Sequence, residues 1–255
     1  MQFIRKVFFL LLITFSILCY GEPVIFNTLP KSGSVYIGKT LSDGLKQGRF
    51  MTISNNTFPS DKISSIDLEA LIRTESITQE HFDASEDNLL ILKEKLPKLI
   101  VHVRDPRQAL ISWTHHLNKV QHSEEALDYF LLSLPKKYFN WSFSKQLAWQ
   151  IDHYFPACVK WIQDWVEASR DDNLEILFTT YELFVENPKE FYTQIFDFYH
   201  ISSAIDKLPC LPKEEIYHYR KGENEEWRKL MTKSQQKKVT KLIPKELFTK
   251  FNWKP

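Results

Sequence analysis

The chain has 255 residues, 33 Lys+Arg against 32 Asp+Glu, and a formal net charge of +1; 43% of residues are hydrophobic and 25% charged. That length suits one α/β domain or two small domains, and the globular balance excludes wholesale disorder. The near-zero charge excludes a general nucleic-acid binder, which carries a basic surplus, and six Gly with twelve Pro exclude a collagen-like or linker chain.

Residues 1–21 read as a signal peptide or short hydrophobic segment: Arg5 and Lys6, an apolar or hydroxyl run from Val7 to Leu18, then Cys19-Tyr20-Gly21 as a cleavage signal. The run is shorter than the ~20 residues a bilayer-spanning helix needs. The domain proper is expected over 22–255. Val24-Ile25-Phe26 suits a buried strand, Thr28 to Gly33 a turn and Ser34 to Leu45 a helix. Glu86 to Leu96 reads as a helix, and Leu99-Ile100-Val101-His102-Val103 as a strand stopped by Arg104-Asp105-Pro106. Pro106 opens a helix to about Leu117. Ser144 to Ala168 is a long helical stretch that Pro156 should kink or divide. Leu174 to Phe178 is a further strand and Pro188 to Tyr199 a further helix, while Pro212 to Pro255 carries 12 Lys/Arg against 6 Glu. Strands alternating with helices predict a central parallel sheet covered by helices on both faces, with ligands beyond the carboxyl ends of the strands.

Three loops carry chemistry. Pro30-Lys31-Ser32-Gly33-Ser34-Val35-Tyr36 joins a strand to a helix. Its glycine permits close approach of backbone, the helix start offers free N–H groups, and Lys31 with the Ser32 and Ser34 hydroxyls adds donors, a set suited to phosphate. Arg104 and Ser112 are eight residues apart, so on a helix they converge on one anion. Arg220-Lys221-Gly222, followed by Trp227, places two cations beside a glycine. Each string also has a plainer reading, as a common turn, a surface ion pair or a solvated basic loop.

Together these strings resemble the PAPS-dependent sulfotransferase family from about Val24 to about Thr232. The resemblance implies a P-loop-like three-layer α/β sandwich that binds 3′-phosphoadenosine-5′-phosphosulfate (PAPS) as donor and releases PAP, with no metal. It assigns Lys31, Ser32, Gly33, Ser34, Val35 and Tyr36 to the 5′-phosphosulfate loop. Arg104, Ser112, Arg220, Lys221 and Gly222 fall to the 3′-phosphate, and Tyr181, with Glu182, to the neighbourhood of the adenine. Departures are Val35 for a hydroxyl, Tyr36 for a stacking tryptophan, and Glu225-Glu226 for Gly-Asp after the basic string. Lys31 would stabilise the bridging oxygen of the leaving nucleotide, Ser112 joins the catalytic set, and His81, 23 residues before Arg104, would be the base, with Glu80 as its substitute.

A rival is written in the same residues. Gly33 to Thr40 satisfies G-x-x-x-x-G-K-[ST], which would make Lys39 a phosphate lysine and Thr40 a Mg²⁺ ligand of a nucleoside-triphosphate-binding protein, although Val35-Tyr36-Ile37 is bulky for such a loop. A non-catalytic nucleotide-binding relative is the third reading. The expected acceptor is a small molecule or glycan. Phe139, Trp141, Trp149 and Phe155 read as core or as an acceptor pocket, and His115 and His116 as structural. A signal peptide places the protein in the secretory pathway or outside the cell, where Cys158 and Cys210 are free to pair and Asn55 and Asn140 match the glycosylation pattern. Without such a signal it is cytoplasmic, and contact with a membrane runs only through the uncleaved segment.

Overall fold

The computed structural model describes residues 21–54, 58–123, 134–201 and 223–255. The signal segment, Asn55, Cys210 and Arg220-Lys221-Gly222 therefore lie outside the described residues, Gly21 excepted. Four strands, β1 (Val24–Thr28), β2 (Ile77–Glu80), β3 (Lys98–Val103) and β4 (Glu175–Thr180), form one parallel sheet in the order β2-β1-β3-β4. β1 pairs with β3 from Phe26 against Ile100 to Thr28 against His102.

Period-two alternation sends side chains to two separate cores, as in a parallel sheet buried on both faces. Ile25, Leu99, Val101 and Val103 join one cluster, while Val24, Phe26 and Ile100 join the other. Helices α2 (Ser65–Thr74), α3 (Glu86–Lys95), α4 (Pro106–Val120), α5 (Phe143–His153) and α6 (Phe155–Ala168) cover the first face. They contribute Leu68, Leu92, Leu110, Leu147 and Trp165 among others. Helices α1 (Ser34–Leu45) and α8 (Pro188–Phe198) cover the second, with Ile37, Leu41, Phe191 and Phe196; the short α7 (Tyr181–Glu186) precedes α8. This is the three-layer α/β arrangement expected.

The long helical stretch is divided: Tyr154 ends α5, and Pro156 sits in the first turn of α6, where its missing N–H breaks no bond. β1 runs two residues further than its apolar run, because the buried Asn27 amide donates to Phe82 O (3.0 Å) and the buried Thr28 hydroxyl to Glu80 O (3.2 Å), so both side-chain donors are satisfied. The basic tail contains α9 (Trp227–Leu230), α10 (Lys233–Leu242) and α11 (Lys245–Phe251), which pack Trp227, Val239 and Leu247 onto the first core, joined by Trp253 beyond α11. No described helix is long and apolar enough to cross a membrane.

The chain leaves β1 toward β2 on one side and returns to β3 on the other. β1 and β3 therefore flank the point where strand order reverses, and in open α/β sheets ligands bind beyond the carboxyl ends of the strands at such a point. The Lys31 loop follows β1, and Arg104 follows β3.

Candidate active site

The loop after β1 is shaped by two left-handed residues, Lys31 (φ 68°) and Gly33 (φ 81°). A left-handed lysine carries a backbone cost of roughly 1 kcal/mol, held in place by the surrounding bonds. Gly33 has a second constraint: a Cβ there would lie 2.9 Å from Cε2 of Tyr181. Ser32 Oγ donates to Leu29 O (2.6 Å) and is fully buried, so this hydroxyl closes the loop instead of facing a ligand. The first amide of α1 to reach a carbonyl is that of Ile37, on Gly33 O at 3.1 Å, and no side chain caps the helix. Among the described residues the amides of Ser34, Val35 and Tyr36 are thus unclaimed by backbone carbonyls, at the positive end of α1.

Arg104 joins three segments. Its Nη1 donates to Lys31 O (2.8 Å), its Nη2 to Glu223 O (2.9 Å), and its guanidinium lies 3.8 Å from the centroid of the Tyr181 ring. Glu223 is the first described residue after the Arg220-Lys221-Gly222 string. Burial, with the charges of Arg104 and Lys119, lowers the Lys31 ammonium to about 7. Such crowding of cations is unfavourable until an anion arrives.

His81, just past β2, is oriented by β1. Its Nδ1 lies 2.6 Å from Thr28 O, which can only accept, so Nδ1 carries the proton and Nε2 presents its lone pair, 3.3 Å from Gln79 Nε2. Burial, and secondarily the Lys31 charge, holds the imidazole down at about 4, so it is neutral near physiological pH.

The model of the sulfotransferase domain matches residues 22–251. The chain belongs to the sulfotransferase domain family. Sulfuryl transfer is the general activity that membership supports. The crystal structure of a mouse sulfotransferase complexed with PAP aligns at a TM-score of 0.58 and 16% identity, over 91% of this chain and 85% of that one. A retinol dehydratase in complex with retinol and PAP aligns at 0.57 and 16%, over 87% and 80%. At these identities the likeness is one of fold. No curated protein matches the chain in sequence.

Within this sulfotransferase fold the other expected residues are distributed as follows. Glu80, the substitute base, is fully buried and turned away from His81. Its carboxylate accepts from Ile53 N (2.8 Å), Ser54 Oγ (2.7 Å), Thr52 Oγ1 (3.1 Å) and Thr78 Oγ1 (2.5 Å), tying the 52–54 segment to the sheet edge. Four donors commit it to that role. Lys39 is exposed in the second turn of α1. Because the helix starts at Ser34, Gly38-Lys39-Thr40 is helical and does not wrap a phosphate, so the triphosphate-loop reading fails on geometry. Ser112 is half-buried in the second turn of α4.

Tyr36 and Tyr181 both lie against Phe184, with ring centroids 5.7 and 6.2 Å away, an aromatic group beside the loop. Glu182 is turned elsewhere, accepting from Asp105 N (3.0 Å) and the Trp253 indole (3.3 Å). Phe155 is core, and Phe139, Trp141 and Trp149 surround Tyr138 half-buried. His115 stacks on Phe143 at 4.4 Å and His116 packs on Trp113, as structural histidines do. Cys158 is a free, buried thiol, pushed up to about 12 by burial. Among the described residues no group of three His, Cys, Asp or Glu is placed to hold a metal ion.

One residue of the site escaped the sequence reading. His102, fully buried on β3, reaches Ser32 O with Nε2 (2.9 Å) and Thr179 Oγ1 with Nδ1 (2.8 Å). A lone polar residue in an apolar five-residue run was the available signal.

Proposed function

We propose that this sulfotransferase is PAPS-dependent and moves a sulfuryl group from PAPS to a hydroxyl or amine of a small-molecule or glycan acceptor by in-line displacement. The observation that carries the reading is the convergence of Lys31, the open amides of Ser34 to Tyr36 and the Arg104 guanidinium beyond β1 and β3, beside the neutral imidazole of His81. Anions are bound by such an arrangement of dipole, amides and cations.

In this reading the loop from Lys31 to Tyr36, including Ser32, Gly33, Ser34 and Val35, takes the 5′-phosphosulfate, Ser32 through its backbone. Arg104, Ser112, Arg220, Lys221 and Gly222 take the 3′-phosphate, and Tyr36 and Tyr181 flank the adenine. Arg104 bonds the carbonyls of Lys31 and Glu223; a phosphate competes with them because it is itself charged and can take two parallel N–H bonds from the guanidinium fork. His81 Nε2 removes the acceptor proton, while Nδ1–H stays on Thr28 O. The ammonium of Lys31 neutralises charge on the oxygen that leaves with PAP. No step draws on a metal. Residues 1–21 direct the chain into the secretory pathway.

The test is radiolabelled sulfate transfer from PAPS to an acceptor panel, together with calorimetric PAP binding. We expect Lys31→Ala to lower both turnover and PAP affinity, His81→Ala to lower turnover by about 10²–10⁴-fold with PAP affinity retained, and Lys39→Ala to change neither. PAP binding without turnover on any acceptor would favour a non-catalytic relative.

A further inference from the structure

The interaction between β3 and the donor loop runs through one imidazole. His102 is fully buried, its ring enclosed by Phe26 (centroids 5.3 Å) and the edge of Phe191 (5.5 Å). Nε2 lies 2.9 Å from a carbonyl, Ser32 O, so Nε2 carries the proton. Nδ1, 2.8 Å from Thr179 Oγ1, is then left to accept the hydroxyl proton, so Thr179 on β4 supports the tautomer that Ser32 O sets. The backbone of the same residue reinforces the placement, because His102 O accepts from Leu29 N at 2.9 Å.

The consequence lies on the far side of the Ser32–Gly33 peptide. In a planar trans peptide the C=O and the following N–H point in opposite directions. Drawing Ser32 O down onto the sheet aims the Gly33 N–H outward, and this N–H bonds to no described residue. It stands beside the amides of Ser34 to Tyr36, which likewise bond to no backbone carbonyl of the described residues, and successive free N–H groups at such a turn suit a phosphate group. Were the peptide to turn over, a carbonyl oxygen would face the anion instead.

We propose that His102 is a positioning residue of the donor site: by holding Ser32 O it presents the Gly33 N–H to the 5′-phosphate of the nucleotide, with Thr179 bracing the ring from its other nitrogen. This rests on the assignment of the nucleotide to this loop.

The test compares PAP with adenosine 3′-monophosphate, which lacks the 5′-phosphate, by calorimetry on wild type, His102→Gln, His102→Asn and Thr179→Val. A glutamine amide reaches about as far as Nε2 and retains the donor, whereas an asparagine amide falls short. We expect His102→Asn to weaken PAP about tenfold or more and adenosine 3′-monophosphate less than about threefold, the loss expected when an anion forfeits one N–H donor. His102→Gln should stay within about threefold of wild type for both, and Thr179→Val should weaken PAP selectively but less than His102→Asn.

Thermal unfolding of each variant without nucleotide accompanies the binding data; if His102→Asn does not fold, the PAP selectivity of Thr179→Val decides. Equal weakening of both nucleotides, or unchanged PAP binding by His102→Asn, overturns the positioning role while leaving the nucleotide assignment intact. Failure of wild type to bind PAP at all overturns the assignment, and this inference with it.

Discussion

Lys31 is the residue at which stability and function oppose each other. In the fold its ammonium is held at about 7 by burial and by Arg104 and Lys119, against 10.5 unfolded. Below pH 7 the full penalty of a confined cation is present, and it is relieved as pH rises from 7 toward 10.5, where only the unfolded chain holds the proton. Lys31→Met should therefore raise the stability of the empty protein by about 1–2 kcal/mol at pH 7, discounted because the group is half-buried, while abolishing PAP binding. Urea unfolding and calorimetry on one preparation read both effects. A bound anion reverses the shift, so PAP binding by wild type at pH 8 should take up a proton, seen as a binding enthalpy that varies with the ionisation enthalpy of the buffer. Gly33 is constrained twice, by φ and by the Tyr181 ring. Gly33→Ala should cost about 2 kcal/mol in unfolding free energy and weaken PAP at least tenfold. That Lys31, Gly33 and Arg104 lie together is legible from sequence because each stands in a dense local string. Glu80 and His102 were not, because their roles come from partners 26 and 70 residues away.

At the scale of elements, the decisive joint is between α4 and the C-terminal tail. Arg107, fully buried, donates to both oxygens of Asp105, to Thr240 Oγ1 (3.2 Å) and to Lys254 O (2.6 Å), and its guanidinium lies 4.0 Å over Trp227. Trp227 N in turn donates to Gln108 Oε1 (3.1 Å). One arginine thus orients the segment that starts at Glu223, beside Arg104. Arg107→Ala leaves the Asp105 carboxylate buried without its cation, for which about 3–5 kcal/mol is expected, and the midpoint of urea unfolding should fall accordingly. In sequence the tail is a basic stretch without an apolar period, because α10 buries only Val239 and its start is set by a capping box, Thr232 with Gln235. β2 was missed for a related reason. Ile77-Thr78-Gln79-Glu80 is three-quarters polar, and only the pairing with β1 and the donors around Glu80 make it a strand. By contrast β1, β3 and α6 announce themselves by apolar period, since packing on the sheet is what stabilises them.

Over the whole molecule, the reversal of strand order brings two histidines into the layer just under the crevice. His81 and His102 are both neutral in the fold, held at about 4 chiefly by burial, against 6.5 unfolded. Between pH 6.5 and 4 the unfolded chain binds two protons that the folded chain refuses. Stability from these groups is therefore fully present above pH 6.5 and falls on acidification, by about 1.4 kcal/mol per pH unit for each histidine. Glu80 and Glu182, raised by burial, act in the opposite sense as pH falls, so the net slope of wild type mixes both. The difference between wild type and His102→Gln cancels every group except His102. Relative to its own value at pH 7, wild type should lose about 2 kcal/mol more than His102→Gln by pH 5, measured as the change in urea unfolding free energy. Equal losses in the two proteins would mean that His102 takes up its proton within the fold as readily as in the unfolded chain, against the burial and the Arg104 charge that disfavour it.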